Sequence, residues 1–500
     1  MKGNNSRVNL YIYSRLFSQP EFYLNMNQNT TTNPLLKNLV SDFESVISNG
    51  SEGYFDEKEY HSLISYYEKA SMYEKALEVL SLALQQFEFR SEFYLAKAKL
   101  LLNIGQLEQS YKYLDKAENV APFEVEIKIL RAKVLAEDDR NVEALNLLDT
   151  IKSGCLSADL AEICISESYI FEKMKQFDLM FSSLSEALEI DASNTEALDR
   201  IWLSAELSRG YLKSITLHKR ILDKDPYNYL AWYNLGHAYS SIGEYEEAII
   251  SLEYSFIING DFKNGYLDCA DLCFQLKKYE KSLEYYKDAQ ELFGPDTELN
   301  LFIAECHLKL EQTKEAKSNL FSALKVDPYN EDLYYNLAEC YSKEKSWYKA
   351  INAYHKAISI DDNREEYYLG LALAYAAIDN DEKAIINFKK STMTGMEQPE
   401  YWLAFCSYLI RKGMISDALM ILNESEDFTY SAGLLYCRAA CSFIENNTVE
   451  GLTILEEALL EDFFQLDILY TINPEFKINT QIQAIIRYYA SELNITTTEV

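Results

Sequence analysis

Four side chains have the types of a metal site. Cys269 and Cys273 lie four apart, about one helical turn, and Cys306 and His307 follow further along. Zinc would need four such donors to converge at about 2.0 to 2.3 Å. The positions count against it: they fall where a repeating frame puts small or medium core side chains, and a buried reduced cysteine behaves as a small hydrophobe. Cys437 and Cys441 repeat the spacing and take the same reading. No metal and no cofactor is expected. The five histidines do not cluster; His218 and His307 occupy core places, whereas the place of His237 faces the inner surface of the stack of repeats. No Gly-rich phosphate loop follows a strand pattern, and there is no nucleophile elbow and no paired-cysteine knuckle.

The frame that positions these residues has a period of 34. Ala76, Ser110, Ala144, Met180, Ser214, Ala248, Ser282, Ala316, Ala350, Ala384, Ala418 and Gly451 follow at steps of 34, except 36 after Ala144 and 33 after Ala418. Two parallel sets run seven places later (Ala83, Ala117 and on to Ala458) and twelve places earlier (Ile64, Ala98 and on to Ala439). A fixed period of this length marks a repeat architecture, here of twelve copies. Apolar residues at helical spacing, as in Trp232, Leu235, Tyr239 and then Tyr245, Ala248, Ile249, Leu252, make each copy two short helices. Gly105, Gly243 and Gly413 mark the turn between them, and Pro122, Pro226 and Pro328 the end of a copy. Small residues recur where two helices approach closely. Trp202 and Met180 are exceptions and predict copies that pack differently, and the 36- and 33-residue steps are expected in loops near 152–159 and 426–429.

The run Ala231-Trp-Tyr-Asn-Leu-Gly-His-Ala-Tyr followed by Gly243-Glu-Tyr-Glu-Glu-Ala resembles the tetratricopeptide repeat, as does Tyr334-Tyr-Asn-Leu-Ala-Glu-Cys-Tyr with Ala350 and Ala357. The resemblance covers about Glu57 to Phe464 and is poorest over 125–228, where Arg131, Glu167 and Ile201 replace the usual Leu. More loosely, the lead-in Tyr54-Phe-Asp-Glu-Lys-Glu-Tyr and the closing Ile472-Asn-Pro-Glu-Phe resemble long repeat-only proteins of Bacteroidota. It implies an all-α, right-handed superhelical solenoid of about twelve helix-turn-helix units whose concave groove binds other proteins. Family members that grip a chaperone's C-terminal carboxylate use a Lys and Asn pair, an Asn, then a Lys and Arg pair. Asn234 and Asn336 match the middle element, but Asp199 with Leu203 and Leu301 with Glu305 stand where the clamp would begin, so that ligand is not expected.

Four segments follow: a disordered, mildly basic tail over 1–33, an N-terminal capping helix and lead-in over 34–56, the solenoid over 57–465, and C-terminal capping helices over 466–500. Caps are needed because a stack of amphipathic pairs leaves an apolar face at each end. Asn33-Pro34 opens the first cap, Leu36, Leu39, Val40, Phe43 and Ile47 form its stripe, and Gly50 closes it; Ile482, Ile485, Ile486 and Tyr489 form the last. Repeats and caps leave no room for a catalytic domain, so no enzyme is expected. The 47 Lys and Arg against 79 Asp and Glu give −32, which disfavours nucleic acid and anionic membranes as partners. Nine scattered cysteines and no apolar run long enough to span a membrane point to the cytoplasm.

The expected function is non-enzymatic binding of a protein or peptide segment in the groove; the alternative is a scaffold subunit using outer or terminal surfaces. Oligomeric state is left open. Most of the 39 tyrosines, among them Tyr60, Tyr94, Tyr334, Tyr368, Tyr73, Tyr211, Tyr245 and Tyr279, fall at packing places. Tyr233, Asn234, His237, Asp271, Glu305, Tyr335, Asn336 and Glu339 are the groove candidates, within a stretch from 229 to 377 expected to take a segment carrying apolar and basic side chains.

Overall fold

The computed structural model describes residues 34–49, 54–154, 157–493 and 495, and every regular element among them is a helix, 27 of them α-helical. The basic pattern is a 13-residue first helix and a 14-residue second one, as in Ser91–Asn103 with Leu107–Val120 and Glu331–Lys343 with Trp347–Ile360. The same device ends each first helix. One residue takes the left-handed backbone region, with φ between 53° and 86°, at Ser71, Gly105, Asp139, Lys175, Arg209, Gly243, Lys277, Glu311, Lys345, Asp379, Gly413 and Asn446. The chain then reverses, and the next N–H reaches back over the turn: Gln106 N to Leu101 O and Ser346 N to Tyr341 O, each 2.8 Å. This is the Schellman closure of a helix C-terminus. It recurs at the 34-residue step with the same 36 and 33 exceptions as the small residues.

Those small residues are where the helices meet. Ala76, Ala83, Ala98, Ala117, Ala338, Ala350 and Ala357 are all fully buried, and the Ser110 hydroxyl donates to the Ala98 carbonyl at 2.8 Å, tying a second helix to its first. The 36-residue step is not taken up as a longer loop. The first helix Ser157–Lys173 has 17 residues and the preceding second helix, Asn141–Lys152, only 12, so the extra length is helical. At the 33-residue step the second helix Ile415–Ser425 has only 11 residues and the connection after it, 426–431, is longer than the four residues after Leu107–Val120, so the shortening lies in the helix.

The two exceptional residues behave differently. Met180 is fully buried and its helix pair packs closely, with Ser166 and Ser168 also buried on the first helix. Trp202 is only partly buried, its ring 4.8 Å from that of His237, and its helix Thr195–Ser208 touches Tyr211–Lys224 far less closely than the neighbouring pair 157–173 and 177–190 touches.

The chain divides into two compact halves, one ending at Ile242 and one starting at Gly243, within an array that the sequence reading treats as unbroken from 57 to 465. In the first half the helix Pro34–Asn49 packs Phe43 against Phe55 and Tyr67, at 5.8 and 6.1 Å. Val46 joins that core and Ile47 is exposed, one residue off the expected stripe. The expectations for 1–33, Asn33 and Gly50 lie outside the described residues. In the second half Asp467–Ile472 and Thr480–Glu492 bury Leu469, Ile472, Ile482 and Ile486 against the last helices, with Ile485 and Tyr489 packed beside them. Two tyrosines expected in the core are not there: Tyr73 and Tyr245, at the start of second helices, are exposed.

Candidate functional site

The cysteine and histidine set does not converge. Cys269, Cys273, Cys306 and His307 are buried, but Cys306 Sγ faces Ser282 Oγ at 3.4 Å and His307 Nδ1 faces Gln312 Oε1 at 2.6 Å, and the four are not among the groups of potential ligands that come together in the described residues. Burial pushes the Cys306 thiol up to about 12, the direction of an unreactive group.

In the first half, three aromatic rings gather at the open face of the first helices. The His237 ring stands edge-on to Tyr233 at 4.4 Å and against Trp202 at 4.8 Å, and all three are partly exposed. Trp202 is the member that the sequence reading missed; its bulk at a small-residue place was the available signal. Asn234 lies elsewhere. It is buried, and its amide donates to the Leu198 carbonyl at 2.7 Å, so it fastens one first helix to the next.

In the second half the carboxylates form a ladder along the first helices Lys263–Gln275, Thr297–Lys309, Glu331–Lys343 and Glu365–Ala377. Asp271, Glu305, Asp332 and Glu339 each have a neutral donor within the chain. The Tyr286 hydroxyl donates to Asp271 and the Tyr354 hydroxyl to Glu339, each from the second helix of the same repeat. Asn336 Nδ2 donates to Glu305 Oε1 at 3.2 Å, and the Tyr367 hydroxyl to Asp332 Oδ1 at 2.9 Å, each from the following first helix. Asp332 with Tyr367 was missed as a pair because its members are 35 residues apart, one repeat plus one place. Tyr335 is half-buried between Tyr354 and Tyr367, at 6.1 and 5.0 Å. Asn336 is buried. Of the eight candidates, then, Asn234 and Asn336 are internal ties, Tyr335 is chiefly packing, and Tyr233, His237, Asp271, Glu305 and Glu339 keep partial exposure.

The electrostatics single out Glu305. Burial raises its carboxyl to about 7, helped by nearby Asp332 and Asp271 and opposed by the Asn336 hydrogen bond and Lys309. A neutral donor does not cancel charge, so the ladder carries a surplus of negative charge. Arg364 offsets part of it through Glu366 at 2.7 Å and Asp332 at 3.8 Å, while Lys309 and Lys343 are exposed.

The tetratricopeptide-repeat models match residues 91–123, 219–250, 265–294 and 331–364. No curated protein matches the chain. Among solved structures it is similar to yeast Tom70 (15% identity, 88% of this chain and 99% of that one, TM-score 0.44). It is also similar to the Cut9-Hcn1 tetramer of the APC/C (15%, 85% and 99%, TM-score 0.35) and to a tetratricopeptide repeat protein from Parabacteroides merdae (17%, 49% and 97%, TM-score 0.38). Each of the four matched segments contains one of the left-handed turns that close the first helices, so these segments of the chain are tetratricopeptide repeats.

Proposed function

We propose that the protein is a non-enzymatic interaction module, and that the first-helix face of its second half, from 263 to 377, holds a partner segment carrying basic and apolar side chains. The observation that carries this reading is the carboxylate ladder of Asp271, Glu305, Asp332 and Glu339, each accepting a hydrogen bond from a tyrosine hydroxyl or an amide, with Arg364 3.8 Å from Asp332. A lysine or arginine placed there would supply the missing positive charge, with half-buried Leu301 and Leu369 as apolar footing. In the first half, Trp202, Tyr233 and His237 offer an aromatic contact surface of the kind that often dominates binding energy. Cytoplasmic residence agrees with eight described cysteines that are all free and buried; no described helix is long and apolar enough to cross a membrane.

The test is retention of captured partners by the full chain as pH and sequence change. Glu305 gains its charge as pH rises through about 7, so retention should strengthen from pH 6 to pH 8. Glu305→Gln keeps an acceptor for Asn336 and should flatten that rise, and Glu339→Lys should weaken retention at both pH values, most at low salt. Partners that stay bound to both folded variants, with an unchanged pH profile, would remove the ladder from the interface. A second reading, assembly through outer surfaces, is favoured by Ile250, Tyr254 and Ile257, which expose one stripe of the second helix Tyr245–Ile258. Ile257→Glu should then release partners that the ladder variants retain.

A further inference from the structure

Two groups of three potential ligands come together among the described residues, each with its donor atoms within 4.8 Å of one another: Cys164, Glu167 and Glu186, and Glu57, His61 and Glu92. The first already has a cation of its own. Lys152 Nζ lies 3.1 Å from Glu167 Oε2 and 2.8 Å from Glu186 Oε2, an ammonium in the place a metal ion would take. The second group has no such occupant. Among the described residues Arg90 is the cation paired with it, 3.0 Å from Glu57 Oε2.

The geometry of the second group follows from the frame. Glu57 and His61 are four apart on the helix Glu57–Lys69, so their side chains rise from one face. Glu92 comes from the first turn of Ser91–Asn103, the next first helix. The His61 ring lies nearly parallel to Phe93, with centroids 5.0 Å apart and planes at 21°. Stacking fixes the plane of the imidazole and leaves its nitrogens at the rim. An imidazole with two carboxylates is a donor set for borderline transition metals; calcium and magnesium prefer oxygen ligands alone.

We propose that Glu57, His61 and Glu92 bind one divalent transition-metal ion, zinc being the best match to the donors, and that the ion staples the first helices of the first two repeats. Three protein ligands would leave the fourth tetrahedral position to water. The chain would thus use two means to the same end, a lysine between the donors in one repeat contact and an acquired cation in another.

The test uses the full chain stripped with a chelator and titrated calorimetrically with zinc chloride alone. One equivalent should bind, and the thermal midpoint should rise with free zinc, because an ion held only by the folded state stabilises it. His61→Ala and Glu92→Gln should each weaken binding by more than the roughly 10- to 100-fold that losing even an outer partner costs a metal site. His237→Ala should leave it unchanged. His61 and Glu92 are exposed, and helical content by circular dichroism verifies that the variants fold. Absence of stoichiometric binding, or binding that survives His61→Ala, overturns the proposal.

Discussion

Residues 195–224 and 331–360 occupy the same place in the frame and solve the same packing problem in opposite ways. In 331–360 the two helices close over Ala338, Ala350 and Ala357, all fully buried, and the large residue at the centre of the second helix, Tyr354, has its hydroxyl engaged by Glu339. In 195–224 the corresponding places hold Trp202, Ser214 and Ile221, and the central residue is His218. The Trp ring turns outward to His237, the two helices part, and Tyr211–Lys224 leans chiefly on the helix that follows it, Tyr229–Ile242. A repeat array tolerates one such misfit because each helix has neighbours on both sides. What it gives up is closeness within the pair.

The sharpest way to break the comparison is to put the misfit where the frame is regular. Ala338→Trp has no outward position prepared for it and should destabilise by about 3 kcal/mol or more, the upper range for overpacking a core. Trp202→Ala should cost well under the ~3–5 kcal/mol of a core Trp, since that ring is already part-exposed. Denaturant melts of both variants decide it; equal losses would mean that the small residues are not what sets helix approach.

His218 gives the next largest effect. It is fully buried, its Nδ1 faces the Ser214 carbonyl at 2.8 Å, and its Nε2 has no partner. Burial pushes its pKa from 6.5 to about 4. The folded value lies below the unfolded one, so the associated stability is present above pH 6.5 and is lost as pH falls toward 4, at about 1.4 kcal/mol per pH unit. Leu stands at this place in most other repeats. His218→Leu should therefore stabilise by about 1–3 kcal/mol at neutral pH by removing an unsatisfied group, and the gain should widen at pH 5. Thermal melts at pH 5 and 8 that show the same difference would refute the buried, unpaired imidazole.

The same contrast explains what could be read from the sequence. The period, the helix pairs and their contact residues were legible because small residues recur at a strict interval, and the misfit at Trp202 was visible as a breach of it. The long helix Ser157–Lys173 was not, since a helix extended by a turn and a longer loop spend the same number of residues. The candidate face was legible only in part. Position in the frame gave Asp271, Glu305 and Glu339 their common side, but whether an amide on that side looks out or ties two helices depends on distances across repeats; Asn234 and Asn336 proved to be ties. The left-handed turns were visible in three places alone, because Ser, Asp, Lys, Arg, Glu and Asn take the conformation in the other nine.

That last feature supports the smallest prediction, and one that applies to regular and irregular repeats alike. A residue with a Cβ in the left-handed region costs roughly 1–2 kcal/mol, which glycine avoids. Lys345, at φ 56°, is exposed and forms no ion pair among the described residues, so Lys345→Gly removes that cost and should stabilise by about 1 kcal/mol. Arg209→Gly should do the same in the splayed repeat, since the turn there is closed by the same hydrogen bond, Gly210 N to Ala205 O at 2.8 Å. The reverse change is equally clean at Gly413, where an added Cβ would meet nothing within 4 Å and the backbone alone, at φ 75°, would object. Gly413→Ala should lose about 1 kcal/mol. Denaturation midpoints of the three variants measure this directly; a Lys345→Gly protein no more stable than the parent would show that the turn is held by its hydrogen bonds firmly enough to make the residue type immaterial.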